Sequence, residues 1–263
     1  MNKAIILAAG IGSRLKELTK DKPKSLIEVN NKPIIKYQID SYLKAGISEI
    51  FIVTGYKSDL LEKFIKENYD QQIKIIYNKI FSSTNNMYSL WLCKSHVCNS
   101  DKVFISNADV VFSESIVSGM IKTNANMIAS DSTQFNIESM KISVNSKCEI
   151  KDISKQISSE NANACSIDLY CFNNYGINVL FDEISLIIKK DKNQWTELAI
   201  QKIIKEDKLK VIPYYLDKSE NWFEIDNESD LISADILFSN LANELSSKNN
   251  FIFDLDGTIY LGN

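Results

Sequence analysis

The sequence holds one histidine, His96, among 263 residues, and no pair of cysteines spaced C-x-x-C. Imidazole catalysis therefore has a single candidate, which falls near the end of an expected helix and reads as a surface or helix-end residue. The five cysteines, Cys93, Cys98, Cys148, Cys165 and Cys171, are odd in number and scattered. That is the pattern of reduced thiols in a cytosolic chain, not of a disulfide framework or a zinc site. Basic charge is not in excess either. The net charge is −4 with acids and bases interspersed, which excludes a field for nucleic acid or an anionic membrane surface. No apolar run approaches the ~20 residues of a membrane helix. The run from Ala4 to Ala9 stops at Gly10 and Gly12, is too short for the core of a signal peptide, and reads as a buried strand. Internal repeats and low-complexity segments are missing too. What remains is a cytoplasmic globular chain, long enough for one large α/β domain or a domain with a small appendage.

Short β runs alternate with amphipathic helices through the first half. KAIILA is a continuous apolar strand of the kind buried on both faces of a parallel sheet. PIIKYQIDSYLKAG predicts a helix that starts at Pro33, puts Ile34, Ile35, Gln38, Ile39, Tyr42 and Leu43 on one face, and stops at Gly46. The strand EIFIVTG, the helix KSDLLEKFIKENY and the strand IKIIYN follow. Then come a polar loop at 79–86, a helix at about 87–97 and the strand KVFISNAD. This alternation predicts βαβ units and an α/β fold with a doubly wound, mostly parallel sheet of Rossmann-like type. From about residue 126, strands in ANMIAS, SMKISV, CEIKDI and ACSIDLYCF have little helix between them, which predicts a small antiparallel insertion. Helices at 175–190 and 195–206, strands in KLKVIPYY and NWFEID, and a helix at about 227–246 capped by Asn227 complete the pattern.

The most informative stretch joins the first strand to a glycine-rich turn. Leu7, Ala8, Ala9 and Gly10 lead into Gly12, Ser13 and Arg14. Small residues there let backbone N–H groups approach triphosphate oxygens, and Arg14 adds a fixed charge. No Gly-Lys-Ser/Thr follows, which excludes a Walker loop. A dinucleotide loop is excluded as well. Arg14 and Leu15 stand where its third glycine belongs, and the second strand ends in VTGY without an acid for a ribose.

LAAGIGSRL followed by KPKSL resembles the signature of the nucleotidyltransferases that activate sugar and alcohol phosphates. TNNMYSL, SNAD and WFEID are similar to the choline-phosphate cytidylyltransferase branch of that family, and together the motifs span roughly residues 3–245. The resemblance implies that Lys24, the second lysine of K-P-K, reaches the α-phosphate, while Arg14 and the loop amides hold the β- and γ-phosphates. It also implies Mg²⁺ on Asp109 and Asp226. Both stand where strands end, at the ligand edge of such a sheet, and Mg²⁺ takes one or two carboxylates together with phosphate oxygens and water. Many relatives carry Asp-Ala-Asp where this chain has Asn107, Ala108 and Asp109. One negative charge is missing, and the role of Asn107 stays open between ligation and hydrogen bonding through its carbonyl.

The implied reaction is attack by a phosphate or phosphonate oxygen on the α-phosphorus of a nucleoside triphosphate, with loss of pyrophosphate. An anionic nucleophile needs no protein base, so the work of the site is positioning and charge neutralisation. CTP is the expected triphosphate, with its base near Gly55 and Tyr56 and along the polar edge of Asn78, Ser83, Thr84 and Asn85. The insertion is expected to wall the acceptor pocket with Asp168, Tyr170, Trp195 and Glu197. Tyr88, Tyr170 and Trp195 either cage a choline cation or belong to the core, while Asp168 and Glu197 can receive an amine or hydroxyls. The acceptor candidates are phosphocholine, 2-aminoethylphosphonate, a glycerol phosphate or a similar precursor of surface polysaccharide or lipid. A homodimer is left open. Two rival readings stand beside this one: a sugar-1-phosphate nucleotidyltransferase using UTP or dTTP, and a non-catalytic nucleotide-binding sensor.

FIFDLDGTIYLGN, residues 251–263, fits none of these roles. It resembles the opening motif of the haloacid dehalogenase-like hydrolases, which implies Asp254 as a nucleophile and Asp256 as its acid/base. The expected division is a nucleotidyltransferase domain at 1–247. Residues 248–263 are then a linker and the first strand of an incomplete phosphatase domain, inactive in this chain, as in a fragment of a bifunctional protein.

Overall fold

The computed structural model describes residues 1–47, 49–69 and 73–239. Strand β1 (Asn2–Ala8) is covered on both faces. Ala4, Ile6 and Ala8 pack with Ile35, Ile39 and Tyr42 of α1 (Ile34–Lys44), while Ile5 and Leu7 face the opposite layer. A strand buried on both sides has no reason to alternate, which explains its continuous apolar sequence. Between β1 and α1 lie the two-residue strands β2 (Glu28–Val29) and β3 (Lys32–Pro33). After α1 come β4 (Glu49–Thr54), α2 (Ser58–Asn68) and β5 (Ile73–Tyr77). Helices α3 (Asn86–Trp91) and α4 (Lys94–Val97) lead to β6 (Lys102–Asn107). The single helix expected at 87–97 is thus interrupted at Leu92 and Cys93, the latter fully buried.

Parallel pairing gives the order β6-β1-β4-β5, so the chain leaves β1 on one side and returns on the other. The carboxyl ends of β1 and β6 lie side by side, with Leu7 opposite Asn107. An open α/β sheet leaves its ligand crevice at such a switch point. Next come β7 (Val110–Phe112) and α5 (Glu114–Met120), two elements that periodicity did not reveal because three strand residues are too few to show a period.

The strands after residue 126 extend the central sheet. They are β8 (Met127–Asp131), β9 (Lys141–Val144), β10 (Ile150–Ser154) and β11 (Ala164–Asn173). β11 runs antiparallel to β6, β8 and β9, and β10 runs antiparallel to β9. Helices α6 (Asn174–Ile187) and α7 (Thr196–Lys205) supply the layer facing Ile5 and Leu7. β12 (Ile212–Tyr215) adds parallel to β8, and β13 (Trp222–Glu224) pairs with β7. Helix α8 (Glu228–Leu237) begins in a reciprocal cap. The Asn227 side chain accepts from the Asp230 N–H, and the Asp230 carboxylate accepts from the Asn227 N–H. The remainder of the helix expected to 246, the boundary at 247 and the tail strand with Asp254 and Asp256 lie outside the described residues. All five cysteines are unpaired, and no helix among the described residues is long and apolar enough to cross a membrane.

Gln38 sits on the apolar face of α1 and is fully buried. Its amide donates to the carbonyls of Asn107 at 2.8 Å and Val110 at 2.7 Å, and its oxygen accepts from Ser106 at 2.9 Å. The side chain therefore ties α1 to the turn that carries Asp109. Gln38→Leu would leave two buried carbonyls unpaired at about 1–3 kcal/mol each, so unfolding free energy should fall by ~2–6 kcal/mol. Urea midpoints measure this. A loss below ~1 kcal/mol would show that other contacts hold the turn.

Candidate active site

Beyond Ala8 the chain turns sharply through the glycine-rich segment. Gly12 has φ 68°, and a Cβ there would meet Lys24 Cβ at 3.0 Å and Thr19 Cγ2 at 3.1 Å. Glycine thus permits the left-handed turn and seats the Lys24 stem against the loop. Gly55 supports the turn from the neighbouring strand end. A Cβ on it would lie 2.6 Å from the Ala9 carbonyl oxygen, which also accepts the Tyr56 N–H at 3.1 Å. Extended Pro23 precedes one tight helical turn over Lys24–Leu26, and this turn delivers Lys24 to the strand ends.

Lys24 Nζ lies 3.0 Å from Asp109 Oδ2 and 3.0 Å from Asp226 Oδ1, and Arg14 pairs with the other oxygen of Asp226. Two residues more than a hundred positions apart meet because β13 pairs with β7. The Ile225 N–H donates to the Asp109 carbonyl at 2.9 Å, and the Asp226 N–H donates to the Asp230 carboxylate at 2.9 Å. Burial by itself lowers the pKa of Lys24 and raises that of Asp226. In both cases the opposite charges outweigh it, so the lysine is held above its ordinary value and the aspartate below.

Glu224 is a third carboxylate in the same place. One oxygen each of Asp109, Glu224 and Asp226 lies within 4.8 Å of the others. The Glu224 side chain reaches solvent at the cavity mouth, yet the enclosing walls, and then the charges of Asp109 and Asp226, push its carboxyl up to about 7. Asp109 Oδ1 is buried and accepts no hydrogen bond from any described residue. A buried carboxylate oxygen without a donor is costly. A cluster of hard oxygen ligands with one such free oxygen fits a divalent cation that keeps its other positions for water and phosphate.

A cavity of about 380 Å³ opens over these groups. Leu7, Ala8, Ala9, Gly10, Gly12, Ser13 and Arg14 form one wall, and Thr84, Asn85 and Asn86 part of another. Four residues expected at the base stand outside this lining: Gly55, Tyr56, Asn78 and Ser83. Asn78 is buried behind the wall, where its amide donates to Thr84 Oγ1 at 3.0 Å and Ser89 Oγ at 3.1 Å. The Tyr56 hydroxyl donates to the Thr19 and Lys20 carbonyls at 3.1 and 3.0 Å and braces the loop from outside.

At the far end of the cavity Asn107 donates to Asp168 Oδ2 at 2.7 Å. Asp168 has φ 58°, at the point where the register between β11 and β8 shifts. The buried Tyr170 hydroxyl donates to Glu197 Oε1 at 2.6 Å and lies 3.1 Å from Asp168 Oδ1. Burial first, then the charges of Glu197, Glu224 and Asp109, push Asp168 well above the usual carboxylate range; burial also raises Glu197. Asp168, Trp195 and Glu197 line the cavity, with Tyr170 buried just behind them. Tyr88 does not. It stacks on Trp91 with ring centroids 5.7 Å apart, so Tyr88, Tyr170 and Trp195 form no three-sided cage. Sequence reading missed Asn86, Lys155, Trp222 and Glu224, all in the lining. Only Glu224 had a usable signal. It stands two residues before Asp226 at the end of a strand, where side chains two apart share a face.

The sequence profile of the nucleotidyl transferase family matches residues 3–235, and the chain belongs to that family. A segment of 107 residues is 41% identical to the choline-phosphate cytidylyltransferase of Streptococcus pneumoniae, covering 41% of this chain and 44% of that protein. Another of 122 residues is 41% identical to the CTP:phosphoglutamine cytidylyltransferase of Campylobacter jejuni, covering 45% of this chain and 47% of that protein. The matches span less than half the length of either curated relative. In three dimensions the chain resembles the solved CTP:phosphocholine cytidylyltransferase of S. pneumoniae. The TM-score is 0.74 at 24% identity, over 90% of this chain and 99% of that one, which establishes the shared fold.

Proposed function

We propose that this chain is a cytidylyltransferase that moves CMP from CTP to a small phosphate or phosphonate and releases pyrophosphate. The observation that carries this reading is Lys24 set between Asp109 and Asp226, directly beside the glycine-rich loop. Mg²⁺ is the cation we assign to Asp109 and Asp226, where it would neutralise phosphate oxygens and orient them for in-line displacement. The loop amides and Arg14 hold the β- and γ-phosphates, and Lys24 presents its ammonium to the α-phosphate. The acceptor oxygen attacks the α-phosphorus, the bond to the bridging oxygen breaks, and pyrophosphate leaves with the electron pair. The acceptor is already an anion, so the chain needs no general base. Asn107 serves the acceptor end in this reading, because its amide is directed at Asp168.

Support for CTP comes from the likeness to two cytidylyltransferases. Support for turnover over passive binding comes from the full set of Lys24, Arg14, Asp109 and Asp226 around one cavity. Pyrophosphate release tests both, using CTP, UTP, dTTP, ATP and GTP against small phosphates, phosphonates and sugar 1-phosphates. CTP should exceed every other triphosphate by at least ~10-fold in kcat/KM. Faster release from UTP or dTTP with a sugar 1-phosphate would transfer the reading to the sugar enzymes. CTP binding without any release would mark a sensor.

A further inference from the structure

Asp168 and Glu197 stand at the far end of the cavity, and no described lysine, arginine or histidine forms an ion pair with either. Lys155, whose charge acts on Glu197, has its ammonium 5.4 Å from the Trp195 ring centre and 3.7 Å from Glu138. Burial favours the protonated form of two acidic groups that lack an ion-pair partner, and a cation brought into the cavity by a ligand favours their ionised form. Their remaining partners are oriented donors. Asn107 holds Asp168 Oδ2, and the Tyr170 hydroxyl bridges Asp168 Oδ1 and Glu197 Oε1. The left-handed backbone at Asp168 is an uncommon conformation placed in the cavity wall by the β11 bulge.

Resting on the transfer reaction proposed above, we infer that the acceptor carries a primary ammonium group, read by Asp168 and Glu197, and not a quaternary one. A primary ammonium has N–H donors, which form charge-assisted hydrogen bonds with carboxylate oxygens. A trimethylammonium has none and depends on several aromatic faces around it. Among the described residues no tyrosine lines the cavity, and its aromatic side chains are Phe81, Trp195 and Trp222. Tyr88 is stacked on Trp91, and Tyr170 is buried with its hydroxyl engaged. Of the lining aromatics, Trp195 already lies under the Lys155 ammonium, and Trp222 is fixed in orientation by its indole N–H, which donates to Asp131 Oδ2 at 2.8 Å. The anionic end of the acceptor belongs beside Asp109, two residues along the chain from Asn107. Ala108 and Asp109 form a tight turn directly after the strand that ends at Asn107, so a short spacer separates phosphate from amine.

Phosphoethanolamine, phosphocholine and ethyl phosphate share one phosphate ester and differ only at the nitrogen. Calorimetric titration of each into the protein with Mg²⁺ reads binding, and CMP transfer from CTP reads turnover separately. Phosphoethanolamine should bind at least ~10-fold more tightly than either of the others. Asp168→Asn should shrink its advantage over ethyl phosphate to less than ~3-fold. Equal or tighter binding of phosphocholine would overturn the inference, as would an unchanged advantage in Asp168→Asn. The two proposals also fail separately. Amine preference without CMP transfer would refute the transfer reaction and leave the amine subsite standing. Transfer without amine preference would refute the subsite alone.

Discussion

Asp109→Ala and Asp226→Ala should each lower kcat by at least about 100-fold, the scale of losing one strong electrostatic contact at a reacting centre. The two aspartates stand more than a hundred positions apart in the sequence, and the β7–β13 pairing brings both to one lysine nitrogen. Their surroundings differ in ways that predict different kinetics. Asp109 has a buried oxygen that no described residue satisfies, so its removal should act mainly on kcat. Asp226 also pairs with Arg14, and its removal releases the guanidinium assigned to the triphosphate. Asp226→Ala should therefore raise KM for CTP as well as lower kcat. Steady-state rates across an Mg²⁺ titration, with EDTA as the zero point, check this. Near-wild-type turnover of both variants in EDTA would refute the metal assignment.

Lys24→Ala should also lower kcat by about 100-fold, with a smaller rise in KM for CTP. Negative charge shifts toward the bridging oxygen as pyrophosphate departs, and an ammonium near the α-phosphate gains most at that moment. The lysine is rigidly presented. Its stem packs against Gly12, and two carboxylates fix its nitrogen at 3.0 Å each. Removing it takes a positive charge away from the carboxylate cluster, so the variant should bind Mn²⁺ no more weakly than the wild type. That separates a catalytic loss from a collapsed site. Normal kcat with only a raised KM would exclude the transition-state role.

Much of this architecture was legible because its signals are local. The apolar run of β1, the turn through Gly12 and the tight turn after Pro23 each lie within a few residues, and they place the loop and Lys24 at one sheet edge. The placement of Asp109 and Asp226 was legible only through the family resemblance. Their meeting depends on a three-residue strand pair, Val110–Phe112 with Trp222–Glu224, too short to leave a pattern. Gln38 illustrates the same limit from inside a helix: spacing puts it on the buried face, but its three partners lie about seventy residues away. Aromatic character marked Tyr88 as a candidate face of a choline cage, and it stands outside the cavity, where Trp91, three positions on, shares its helix face and takes up its ring. The role of Asn107 stays open between ligation and hydrogen bonding while its neighbour is unknown. The bulge that brings Asp168 within 2.7 Å gives the amide a use that a carboxylate at 107 would oppose by like-charge repulsion.

The fate of phosphorus label in CTP tests cytidylyl transfer most directly. With Mg²⁺ and the best acceptor of the panel, label at the α-position should appear in the CMP–acceptor product and label at the γ-position in pyrophosphate. Label from the γ-position on the acceptor, or α-label recovered only in free CMP, would contradict the account.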